Sequence, residues 1–117
     1  MKEDVGLYTI RHMATELALL EEHLKEFSQG AEETFCLDCQ LKHILLLNGF
    51  TQECIGFDCK PKTLIGNIKK WGEALIIELK DLTKEEAPKV ISQARHFRKA
   101  LEKQLINPEE VLHLKEI

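Results

Sequence analysis

The chain has 117 residues, 44% hydrophobic and 31% charged, with a formal net charge of −4. That size and balance suit one domain spanning 1–117 with an adequate core. The acidic balance argues against a nucleic-acid partner, which needs a basic footprint, and no segment approaches the roughly 20 apolar residues of a membrane span. Glu3 and Asp4 stand where a secretory leader carries positive charge, and no apolar run follows. A cytoplasmic protein is therefore expected, in a compartment where disulfides are uncommon.

Along the chain, Leu7, Ile10, Ala14, Leu17, Leu20, Leu24 and Phe27 recur at three- and four-residue steps. This spacing predicts an amphipathic helix from about Asp4 to Gln29, with Asp4 as N-cap and Gly30 just past its end. Thr34 is the expected cap of a second helix that stops at Asn48-Gly49. Residues Phe50 to Pro61 read as an irregular connection, broken by Gly56 and Pro61. After Thr63, a third helix carries Ile65, Ile68, Gly72, Leu75, Leu79 and Leu82 on one seam, with Trp71 at its edge. Gly72 there costs about 1 kcal/mol of helix propensity relative to Ala, which predicts a close approach by a neighbouring helix. Thr83 and Glu86 resemble a capping box, yet Pro88 lies too deep for a helix starting there. A turn over Thr83–Ala87 is expected, with Pro88 in the first turn of a fourth helix bearing Ala87, Val90, Ala94, Phe97, Leu101 and Leu105. Asn107-Pro108-Glu109-Glu110 then predicts a short terminal helix with Val111, Leu112 and Leu114. The expected fold is all-α: an antiparallel bundle of four main helices plus a short C-terminal helix.

All four cysteines, Cys36, Cys39, Cys54 and Cys59, lie in one stretch, with His43 among them. On a helix, Cys36, Cys39 and His43 fall within an arc of roughly 60°. With Leu46 and Leu47 continuing that face, it is expected to point inward and to offer two thiolates and an imidazole to zinc. The fourth ligand would be Cys54 or Cys59, or Glu16, His12 or His23 of the first helix. A site of the four cysteines alone is the other metal reading, and Cys36, Cys39, His43, Cys54 and Cys59 are together the candidate ligands. Against these stand plain core cysteines, two disulfides stapling the connection, and a C-x-x-C redox switch.

Cys36-Leu37-Asp38-Cys39-Gln40-Leu41-Lys42-His43, followed by Glu53 and by Ile65-Gly66-Asn67-Ile68, resembles a set of short helical proteins of phages, archaea and bacteria. Those share a C-x-D-C-x-x-K-H motif and a later I-G-[HN] helix. The resemblance covers about a third of the chain. It brings no activity, but it implies that Asp38, Lys42 and His43 belong with Cys36 and Cys39, and it leaves Cys54 and Cys59 outside the pattern.

Two further constellations compete. Glu16, Glu21, Glu22 and Glu26, with Glu73, Glu78 and Asp81, are what a Mg²⁺-dependent all-α nucleotide pyrophosphohydrolase would use, although Lys25 interrupts the E-E-x-x-E pattern of such enzymes. Arg95, Arg98, Lys99 and Lys103 form a basic stretch best read as a wet face balanced by Glu102. The sequence thus points to a small helical zinc-binding interaction or scaffold protein, acting on a protein partner or by self-association. The nucleotide hydrolase and the thiol switch or disulfide-stapled bundle are the alternatives.

Overall fold

A computed structural model describes residues 2–30, 36–57, 59 and 61–105. Every regular element among them is helical: α1 (Lys2–Ser28), α2 (Leu37–Gly56), α3 (Lys62–Glu78) with a 3-10 turn over Leu79–Asp81, and α4 (Ala87–Leu105). The expected cap at Asn107, and the terminal helix, lie outside the described residues.

Three expectations about local structure hold. Gly30 takes φ 101°, the left-handed conformation that ends a helix and that glycine adopts without a Cβ penalty. Thr83 Oγ1 donates to Glu86 Oε1 at 2.8 Å and accepts from the Glu86 N–H at 3.3 Å, closing the capping box within the turn before α4. Gly72 is closely approached: a Cβ there would sit 2.1 Å from Asn48 Oδ1 of α2.

Three expectations about helix ends fail. Asp4 lies inside α1, which begins at Lys2, and the N-cap of α2 is Cys36, not Thr34. α2 does not stop at Asn48-Gly49 but runs to Gly56, taking Cys54 into its last turns. Its buried residues, Gln40, Ile44, Leu47, Thr51 and Cys54, recur at four- and three-residue steps. This seam continues across the Asn-Gly pair and outweighs the propensity lost there.

The core is one cluster. Met13, Leu17, Leu20 and Leu24 of α1, Ile44 and Leu47 of α2, Ile65, Ile68 and Leu75 of α3 and Leu101 of α4 all fall at or below 1% exposure. α1 packs against both α4 and α2, and α2 against α3. α3 makes only slight contact with α4, where Trp71 Nε1–H donates to Gln93 Oε1 at 2.9 Å and its ring lies 5.2 Å from that of Phe97. The basic stretch of α4 is more than a wet face. Arg95 donates to Glu21 of α1 at 3.2 Å, and Arg98 donates to both oxygens of Glu21 and to Glu102 at 2.8 Å. Glu21 is itself buried, and its carboxylate raises the pKa of the Arg98 guanidinium above the ordinary arginine value.

Gly72→Ala should destabilise the protein despite gaining about 1 kcal/mol of propensity, and the same change should become favourable once Asn48→Ala has vacated the contact. Denaturant unfolding of the four proteins in this cycle measures the coupling; simple additivity would contradict it. Glu21→Ala should cost about 3 kcal/mol by leaving Arg98 without its buried partner, and Glu102→Ala, at a half-exposed site, less than about 1 kcal/mol.

Candidate functional site

The cysteines and His43 do not form one cluster. Cys36 precedes α2 as its N-cap, with extended backbone at φ −100°, ψ 104°, and its Sγ accepts the Cys39 N–H at 3.1 Å. A thiol thus does the work usually given to a Ser or Asp oxygen at a helix start. Because Cys36 lies outside the helix, the arc drawn from ideal helical spacing does not apply to it. Nor does the face point inward: Cys36 and Cys39 are both exposed, and Leu46 is 50% exposed. The inward face of α2 is the one that begins at Gln40 and ends at Cys54.

The first pair is electrostatically asymmetric. Hydrogen bonds from the side chain and backbone of Cys39 lower the Cys36 pKa below its ordinary 9.0. The Cys39 thiol is raised, chiefly because it donates to Cys36. The free N–H groups at the start of a helix act in the same sense, favouring an anion at Cys36.

One turn further on, His43 faces α1. Its Nδ1 lies 2.5 Å from Glu16 Oε2, with both side chains largely buried at 25% and 13% exposure. A carboxylate only accepts, so the Nδ1 carries the hydrogen and the Nε2 of a neutral ring is left with its lone pair. The His23 ring is 5.8 Å from that of His43. The buried carboxamide of Gln40 reaches His23 Nδ1 with either end, Oε1 at 3.1 Å and Nε2 at 2.9 Å. His12 is used differently: it stacks on Phe50 of α2 at 5.0 Å and meets the edge of Tyr8 at 4.4 Å. A polar stripe of α1, His12, Glu16 and His23, therefore lies along α2.

The second pair is at the other end of α2. Cys54 is fully buried, and its thiol donates to Met13 Sδ at 3.6 Å. Cys59 is half-buried in the connection to α3, and its N–H donates to the Cys54 carbonyl at 2.9 Å. Burial first, and then the hydrogen bond with the Cys59 thiol, push Cys54 up to about 12. All four cysteines are free thiols. As the side chains stand, no three His, Cys, Asp or Glu among the described residues converge on one metal position. The acidic residues weighed for Mg²⁺ are likewise dispersed: Glu21 is taken by two arginines, and Glu22, Glu26, Glu73, Glu78 and Asp81 are exposed.

Sequence reasoning placed Glu16 and His23 among the possible ligands but missed the roles of Gln40 and Met13. The four- and three-residue spacing from Gln40 to Cys54 was the available signal, hidden by taking Asn48-Gly49 as a stop.

Cys36 should alkylate faster than Cys39 at neutral pH. The midpoint of its pH–rate profile should lie below 9.0 and that of Cys39 above it. Peptide mapping after iodoacetamide pulses checks both, and equal profiles would refute the asymmetry.

Comparison with protein-family models, curated proteins and solved structures finds no match for this chain.

Proposed function

We propose that this is a small helical zinc-binding interaction protein in which Cys36, Cys39 and His43 are ligands and His23 of α1 supplies the fourth. The observation that carries this reading is the bond between His43 Nδ1 and Glu16. Metal-bound histidines characteristically give their second ring nitrogen to a carboxylate, which orients the ring and strengthens the other nitrogen as a donor. Of the α1 candidates, Glu16 is committed to His43 and His12 to its aromatic neighbours, whereas His23 lies beside the His43 ring. With Gln40 Oε1 accepting from Nδ1, His23 also keeps Nε2 for a ligand. The N–H bond onto Cys36 favours the thiolate that a metal requires. Rotation of the two exposed cysteine side chains completes the set; the ion would then fasten the start of α2 to α1.

A role in binding rather than catalysis is supported by the surface beside the site. Leu45 and Leu46, 59% and 50% exposed, follow His43 on the outside of α2 and offer apolar area to a protein partner. The antiparallel order of the bundle belongs to the same proposal. It is supported by pairings that rise along α1 as they fall along α2: His12 with Phe50, Glu16 with His43, His23 with Gln40.

A second reading is favoured by the Cys36–Cys39 asymmetry: an exposed thiol of lowered pKa beside a second thiol is also the arrangement of a redox dithiol.

Protein purified without chelator should carry one zinc per chain. Cys39→Ser should abolish binding, His23→Ala should weaken it, and Glu16→Gln should weaken it by roughly 10- to 100-fold. Metal analysis and chelator competition measure these. Zinc-free protein that binds none when supplied, with Cys36 and Cys39 fully titratable, would reject this reading. A reversible two-electron midpoint near the cytosolic poise would then favour the redox dithiol.

A further inference from the structure

We propose that Cys54, Cys59 and Met13 form a second site, built of three sulfur atoms and suited to Cu(I). It lies about 22 Å along α2 from Cys39 and shares no residue with the zinc reading.

Three observations place the sulfurs together. Cys54 and Met13 are both at 0% exposure, and Cys54 Sγ lies 3.6 Å from Met13 Sδ. Cys59 is held beside Cys54 at a half-buried position by its backbone N–H on the Cys54 carbonyl at 2.9 Å. Cys59 also lines a cavity of about 330 Å³ with Ile55, Lys62, Ile65 and Gly66, which gives an approach from outside to an otherwise closed place.

Donor chemistry selects the ion. Thiolate and thioether are soft ligands, the class that suits Cu(I). Zinc takes four ligands, and a thioether is not among its usual ones. Cys59 shares its cavity wall with Ile55, Lys62, Ile65 and Gly66, none of which brings a carboxylate or an imidazole. Cu(I) needs no fourth ligand. On binding, the two S–H bonds break, their protons pass to solvent through the cavity, and two Cu–S bonds form. Met13 adds a neutral donor, and no electron is transferred. The product carries one net negative charge. Because both thiols are deprotonated on binding, uptake releases protons.

The test uses the full chain with Cys36→Ser and Cys39→Ser, so that the exposed pair takes no copper. Reduced, anaerobic protein is titrated with Cu(I) held by a chromophoric chelator. One equivalent should move to the protein, with an all-sulfur shell by copper X-ray absorption. Cys59→Ser, at a half-buried position that should keep the fold by circular dichroism, should weaken binding by more than the roughly 100-fold that loss of an outer-shell partner costs. Met13→Leu, close in volume, should remove one sulfur from the shell. Failure to draw Cu(I) from the chelator, unchanged affinity in Cys59→Ser, nitrogen or oxygen in the shell, or equal binding of zinc in this background would each overturn the proposal.

Discussion

The fold depends on the burial of one stripe of α1. Met13, Leu17, Leu20 and Leu24 are entirely out of water, and at roughly 1.5–3 kcal/mol for each large apolar side chain this seam is a major source of cohesion. α1 can join two neighbours because polar residues flank the stripe on either side. His12, Glu16 and His23 serve α2, while Glu21 serves α4 through Arg95 and Arg98. Apolar area holds the three helices together without fixing their register, and the directional bonds on the two flanks supply it. A buried ion pair such as Glu21–Arg98 adds little net cohesion by itself, but its loss strands a charge, so it penalises any slide of α4 along α1.

The sulfur chemistry follows from the same helix ends. Cys36 stands where α2 presents unpaired N–H groups to solvent, and there the charged form of a thiol is favoured. Cys54 stands where α2 is pressed against Met13, and there burial favours the neutral form. One residue type thus has opposite acid–base character at the two ends of a single element. Treating the four cysteines as one cluster, because they are close in sequence, overlooks the length of the helix between them.

Much of the fold was legible because the governing signals were local. The turn at Gly30, the Thr83–Glu86 box and the three- and four-residue spacing of α1, α3 and α4 each depend on a few adjacent residues. Gly72 showed that a close helix contact could be inferred from a single costly residue. Asn48-Gly49 misled because a weak local stop was set against a tertiary seam, and the seam has more free energy behind it. The candidate site was legible only in its residue types. Whether Cys36 is inside the helix or caps it depends on one backbone dihedral pair, which spacing does not encode. That Glu16 meets His43, and not a lysine of its own helix, is a matter of inter-helix register.

Trp71 is the chain's single tryptophan, and it sits at the slight contact between α3 and α4. Its indole is hydrogen-bonded to Gln93 and packed against Phe97, so its emission has one origin and one structural meaning. Opening of that joint exposes the ring to water even while α1, α2 and α4 stay associated. The molecule therefore contains its own optical gauge of partial opening, which distinguishes detachment of α3 from α4 from loss of the whole fold.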